Sequence, residues 1–347
     1  MNKPRISFPP EWEQQAAIML SWPHAQTDWN YMLTEVQVCF KRIVTAIVEN
    51  GENVVVLAPE CNSVRQQLSE LDPCKLRLIE VKTNDTWARD ICPITTFDDG
   101  LAVTNDFKFN GWGLKFASNF DNLITSELKA TTALFKNTKY ANHLNFVLEG
   151  GSIESDGNGS LLTTSECLLS KNRNGGFSKP EIEDYLRDVF GVAQVLWLDH
   201  GFLEGDDTDS HIDTLARFAP GNTILYIGTD RNEDPHFNAL LSMKKQLQSF
   251  RNQQGKPYNL IELPLPSAIF DDEGNRLPAT YANFLIGNGF VLVPTYNQPD
   301  YDSQAIETLQ KVFVNYKIIG IDCVPLIQQH GSLHCVTMQF PSGSINL

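Results

Sequence analysis

Short β-branched runs alternate with amphipathic stretches along this whole chain, and that alternation leaves few folds open. After Glu11-Trp12-Glu13, residues 16–21 read as a buried strand. Residues 31–50 carry apolar side chains at helical spacing until Gly51 stops them. Val54-Val55-Val56-Leu57-Ala58 is the next strand, closed by Pro59, with a helix over 63–71 and a strand over 76–81. Further on, 101–107 reads as a hairpin-like pair and 146–148 as a strand. Asp156-Gly157-Asn158-Gly159 reads as a hairpin turn returning into a strand over 160–164. The helix 179–190, ended by Gly191, leads to a strand at 195–198. The same rhythm continues through 223–227, 237–250, 259–262, 281–286, 290–294, 305–315 and 317–321. Such a rhythm is α/β. No Pro-, Gly- or Ser-rich linker interrupts it, so residues 1–347 are expected to form a single domain.

Against this frame, polar residues at strand-to-loop junctions stand out, because α/β proteins place their ligands there. The segment His330-Gly331-Ser332-Leu333-His334-Cys335-Val336-Thr337 offers a thiol between a turn and an apolar run, with 335–338 read as a strand beginning at the rim of the fold. Cys335 is the candidate nucleophile. A lone cysteine is more often a small buried hydrophobe, so its partners decide the matter. Asp90 follows a strand in Asn84-Asp85-Thr86-Trp87-Ala88-Arg89-Asp90, where Pro93 argues against a helix. Glu149 follows 146–148 beside Gly150 and Gly151, and Phe109-Asn110-Gly111-Trp112-Gly113 reads as a loop with an exposed indole. His211 and Asp213 stand two apart in a segment read as extended, which would project them to one face.

Three carboxylates, a histidine and a thiol suit attack on a guanidinium, a planar permanent cation whose N–H fork is best gripped by carboxylates. The bulk charge agrees with a cationic ligand: 27 Lys plus Arg stand against 42 Asp plus Glu, a net charge of −15 that disfavours nucleic acid and anionic membranes. Seven cysteines, an odd number without a C-x-x-C pair, read as reduced thiols. The N-terminal residues lack a signal-peptide core and no apolar run approaches the ~18 residues of a membrane span, so a cytoplasmic location is expected.

At these residues the chain resembles the agmatine deiminase family, also called the Porphyromonas-type peptidylarginine deiminases, within the guanidine-modifying pentein superfamily. The resemblance rests on five motifs spread over nearly the whole length. They are Asp85-Thr86-Trp87-Ala88-Arg89-Asp90 with Pro93, Phe109 to Gly113, Glu149-Gly150-Gly151, Asp207 to Asp213, and His334-Cys335-Val336-Thr337. It implies a five-bladed α/β propeller of pseudo-symmetric ββαβ units. It further implies Cys335 as nucleophile, His211 as proton shuttle, Asp90 and Asp213 as guanidinium ligands, and Glu149 between the histidine and the guanidinium. The chain departs from the family pattern at Cys92, Lys108, His330 and Leu333, near substrate-binding loops.

The expected reaction converts agmatine to N-carbamoylputrescine and ammonia through a covalent amidino-thioether, a step in polyamine biosynthesis, without metal or organic cofactor. Deimination of peptide arginine is the alternative. The loop carrying Glu204, Asp206, Asp207 and Asp209 is expected to meet the substrate's amine, with Asp207 as the contact and Trp87 or Trp112 as an apolar or cation–π wall. A homodimer is compatible with this reading. Two rivals belong to other classes: a metal hydrolase using His330, His334 and Cys335, which lacks the Glu of H-E-x-x-H, and a polyamine-binding protein without catalysis.

Overall fold

The computed structural model describes residues 6–347. Its strands form five sheets, and one unit recurs in each of them: two antiparallel neighbours, then a third strand parallel to the second and reached through a helix. Ile153–Ser155 pairs antiparallel with Ser160–Thr164, the helix Lys179–Phe190 crosses over, and Gln194–Leu198 returns parallel. Ala216–Ala219, Thr223–Gly228, the helix Phe237–Ser249 and Asn259–Pro264 repeat the pattern. So do Leu285–Gly287, Phe290–Thr295, the helix Pro299–Val312 and Lys317–Asp322. Another unit uses Ile94–Asp98, Leu101–Lys108, the helix Ile124–Thr131 and Lys139–Val147, with Ile6–Ser7 added at its edge. The fifth is assembled from both ends of the chain. Met338–Pro341 pairs antiparallel with Gln15–Ser21, and the helix Leu33–Glu49 leads to the parallel Val54–Ala58, beside which Leu76–Glu80 lies.

The local sequence explains each part. A parallel pair needs a crossover, and every one here is helical. Strands covered on both faces read as unbroken apolar runs, as in Val54–Ala58, where all five residues are buried. The crossover Lys179–Phe190 starts at a reciprocal Ser178–Glu181 capping box and stops at Gly191, whose φ of 64° is the left-handed geometry that favours glycine. No helix among the described residues is long and apolar enough to cross a membrane.

Several expectations need correction. The helix over 63–71 is observed as Cys61–Gln67, because Leu68 to Leu71 turn toward the Asp72-capped segment Pro73–Lys75. The strand over 281–286 shrinks to Leu285–Gly287. Tyr281 to Phe284 are a buried loop, and an apolar run looks the same in either state. The strand read at 146–148 is Lys139–Val147, whose first seven residues are largely polar and partly exposed and so give no clean alternation.

Candidate active site

A single position in each unit carries the polar chemistry: the residue just ahead of the unit's first strand. Asp90 precedes Ile94, Glu149 precedes Ile153, Asp213 precedes Ala216, Asn283 precedes Leu285 and Cys335 precedes Met338, a lead of two to four residues in every case. Four of these five were candidates from the sequence. Asn283 was not, because a single Asn in an apolar stretch carries no motif.

The local geometry differs from what the sequence suggested. Asp90 lies in the single helical turn Ala88–Ile91 rather than in a loop, and Cys335 occupies a turn ahead of the strand Met338–Pro341 rather than the strand itself. The Cys335 thiol is buried rather than at the rim, with the residue 7% exposed. His211 and Asp213 flank and enter the 3₁₀ turn Ile212–Thr214, so strand alternation does not aim them. Both still reach one place. A Cβ on Gly151 would lie 2.7 Å from His211 Nδ1, 2.9 Å from Asp90 Oδ1 and 3.2 Å from Asp213 Oδ2, so only glycine lets the three converge. Trp112 is buried, not exposed, and its φ of 52° turns the indole inward to donate to Asp90 Oδ2 at 2.9 Å.

Hydrogen bonds fix these groups. The Gly151 N–H donates to Asp90 Oδ1 at 2.9 Å, and His211 Nδ1 lies 3.7 Å from the same oxygen. Glu149 takes Arg173 Nε on both oxygens, at 2.9 and 3.1 Å, while the same guanidinium reaches Asp209 Oδ2 at 2.5 Å and the Thr208 carbonyl at 2.8 Å. His334 bridges Asp213 Oδ2 and Glu11 Oε2, each at 2.7 Å. Asn283 Oδ1 accepts from the backbone N–H groups of His334 and Cys335, at 2.8 and 3.3 Å, and lies 3.4 Å from the Cys335 sulfur. That sulfur is 4.0 Å from Asp213 Oδ2. Two buried atoms in this cluster, Asp213 Oδ1 and His211 Nε2, have no hydrogen-bond partner among the described residues. Buried polar atoms are rarely left so; Asp213 Oδ1 is thereby available to a polar ligand, whereas His211 also interacts with the Cys167 sulfur.

The electrostatics are lopsided. Burial pushes the Cys335 thiol well above its ordinary value, and Asp213 and Asp90 push it further the same way. Burial alone would lower His211, but Asp90, the Cys167 sulfur and Glu149 outweigh it and raise the imidazole to about 10. Burial raises Asp90, with His211 opposing and Asp213 adding to the rise. Asp213 would rise on burial too, yet its bond to His334 and that ring's charge hold it below the usual range. Without a ligand, the thiol is therefore neutral and His211 carries its proton.

A pocket runs outward from Cys335 and Asp90 between Trp87 and Trp112 to Asp28, Asp85, Asp206, Asp207 and His330. Gly331 is required at its wall, since a Cβ there would sit 2.1 Å from the Trp87 ring. The acidic loop proves less free than its composition implied. Glu204 lies 3.6 Å from Arg276, Asp206 accepts from Thr208 and Ser210 of its own loop, and Asp209 is held by Arg173 and Lys115. The Asp207 carboxylate accepts no hydrogen bond and pairs with no arginine or lysine side chain among the described residues, and burial raises it, with His330 opposing. The sequence reading passed over Asp85 as a pocket group. Burial raises it to about 7 against the Thr86 N–H that donates to it.

The profile of Porphyromonas-type peptidyl-arginine deiminases matches residues 7–341. The chain belongs to this family. Among solved structures, one provisionally assigned as an arginine deiminase from Porphyromonas gingivalis is 49% identical, with 98% of this chain and 100% of that one covered and a TM-score of 0.93. A cysteine-to-serine variant of the C. jejuni agmatine deiminase with substrate bound is 39% identical over 97% of each chain, with a TM-score of 0.90. The agmatine deiminase of Medicago truncatula is 31% identical over 96% of each sequence.

Among the described residues, two sets of side chains come close enough to suggest metal ligation: Glu149 with Cys167 and His211, and Glu11 with Glu154 and His334. In both, arginine already occupies the carboxylates, Arg173 on Glu149 and Arg217 on Glu11 and Glu154. A cation would have to displace a buried guanidinium. His330, His334 and Cys335 do not form such a set, because His334 is spent between Asp213 and Glu11.

Proposed function

We propose that this protein is a cysteine-dependent agmatine deiminase, built as a single five-bladed α/β propeller whose five units each direct one polar residue to the site. The observation that carries the reading is the pocket lining: five aspartates, Asp28, Asp85, Asp90, Asp206 and Asp207, and no lysine or arginine, lead to a buried thiol. Such a slot favours a ligand with a cation at each end. Agmatine has both, whereas the carboxylate of free arginine would face aspartates.

The guanidinium lies between Asp90 and Asp213, donating to Asp213 Oδ1, which accepts no hydrogen bond from the described residues. Its positive charge opposes the balance that keeps Cys335 protonated, so substrate binding itself favours the thiolate, the thiol proton passing to solvent. The sulfur attacks the central carbon, and the tetrahedral adduct collapses as protonated His211 gives its proton to the departing ammonia. The bond formed is C–S and the bond broken is C–N. Neutral His211 then takes a proton from water as that water attacks the amidino-thioether carbon. The C–S bond breaks, the ureido product leaves and the thiol is restored. Glu149, anchored by Arg173, supports the charge on His211, and Asn283 fixes the cysteine turn.

Ammonia release measured with agmatine, free arginine and an arginine peptide tests the reading, and agmatine should give by far the highest kcat/KM. A clear preference for the peptide would replace it with the peptidylarginine alternative. Asp207→Asn should weaken agmatine about tenfold more than butylguanidine, which lacks the amine, through loss of a charged contact. Exhaustive chelation should leave the rate unchanged; loss restored by zinc would favour the metal hydrolase instead.

A further inference from the structure

His330 occupies the outer end of the pocket, where its backbone holds a left-handed φ of 65°. Its Nδ1 lies 2.8 Å from the Gly205 carbonyl oxygen. A carbonyl only accepts, so Nδ1 carries a hydrogen, and in its neutral form the ring presents a bare Nε2 lone pair. That nitrogen faces Asp207 Oδ2 at 4.0 Å, too far for a hydrogen bond between them. With the ring neutral, the pair is two acceptors side by side. A nitrogen about 2.9 Å from both would see them roughly 90° apart, within reach of two N–H bonds of one ammonium. Glu204, Asp206 and Asp209 have partners of their own, as described above.

We infer that His330 and Asp207 together form the receptor for the distal primary ammonium of the substrate, with the neutral imidazole as one of its two acceptors. This rests on the agmatine reading of the same site. Protonation turns Nε2 into a donor, which removes one acceptor and draws Asp207 Oδ2 toward the ring. The remaining charged or titratable neighbours are Asp206 and Lys115 beside Asp207, Asp28 and Asp85 across the pocket, and Tyr31, which bonds Gln329.

The test is the ratio of kcat/KM for agmatine to that for butylguanidine between pH 5.5 and 8.5. Both guanidiniums and the amine keep their charge over this range, and Cys335 and His211 act on both compounds, so their ionisations cancel; Asp85, raised to about 7, titrates in every variant, so the difference between wild type and His330→Gln isolates His330. In the wild type the ratio should rise about tenfold with pH along a single titration curve. His330→Gln, which retains an acceptor and cannot titrate, should give a high ratio that changes much less with pH than the wild type's. His330→Leu should give a low ratio at every pH while butylguanidine turnover stays within about twofold.

A flat wild-type ratio would overturn the inference, and this measurement needs no variant to fold. Equal losses for both compounds in His330→Leu would also overturn it, by showing a structural role. In either case wild-type ammonia release from agmatine would leave the functional reading standing. No release from agmatine in the wild type would remove that reading, and the inference with it.

Discussion

Replacing Cys335 by serine is expected to lower turnover of agmatine by about four orders of magnitude or more, while the protein still binds it. A hydroxyl is far less acidic than a thiol, and even the thiol here is held neutral by burial and by Asp213 and Asp90 until a cation arrives. The fold should survive, because the substituted atom is nearly isosteric and can keep the contact to Asn283 Oδ1. Stability should change by about 1 kcal/mol or less. The checks are steady-state ammonia release, calorimetric titration with agmatine and a denaturation curve. A variant that turns over at the wild-type rate would eliminate the covalent route. In the wild type, acid-quenched enzyme should carry the amidino adduct on Cys335 by mass spectrometry, with greater occupancy when His211 is replaced.

The second large effect concerns stability and lies behind the site. Arg217 is fully buried. It pairs with Glu154, meets Glu11 Oε2 at 2.6 Å, donates to the Phe284 carbonyl at 2.6 Å and packs over the Phe284 ring. Glu11 in turn accepts from His334, which orients Asp213, so the core ion cluster and the active site share a framework. Arg217→Met should destabilise the protein by about 3–5 kcal/mol by leaving two buried carboxylates without their main counter-charge. The pH dependence gives the mechanism away. Burial pushes Glu154 up even with Arg217 opposing, and Glu11 stays well below its ordinary value only because Arg217, His334 and Arg89 outweigh burial. Without Arg217 both folded-state values rise. An acid whose folded value exceeds its unfolded value takes up protons on folding, so stability falls as pH rises through that window. The deficit relative to wild type should therefore be greatest near pH 8 and shrink toward pH 5. Urea denaturation across that range measures it, and a deficit independent of pH would point to lost packing alone.

How much of this was legible beforehand differs from residue to residue. Cys335, His211, Glu149, Asp90 and Asp213 were readable because each is a reactive or charged side chain set against a strand. The convergence of Asp90, His211 and Asp213 around Gly151 was not, since it depends on three distant chain segments meeting. Asn283 and Arg173 escaped notice for the same reason. An amide that receives the cysteine turn and an arginine that anchors a carboxylate are defined only by what they touch. The acidic loop misled in the opposite direction, because composition counts charges and does not reveal that Arg276, Arg173 and Lys115 already answer most of them.

The sequence by itself determined the alternation of strands and helices and the reactive residue types, because hydrophobic periodicity, glycine and proline punctuation and side-chain chemistry are local properties. It did not determine that the last strand pairs with Gln15–Ser21, nor that Asp90, Glu149, Asp213, Asn283 and Cys335 occupy equivalent places in successive units. It also left unsettled which acids remain free for a ligand. Those features belong to the tertiary structure, where burial and long-range pairing set the protonation of the thiol and the imidazole and leave Asp207 and His330 facing an open pocket.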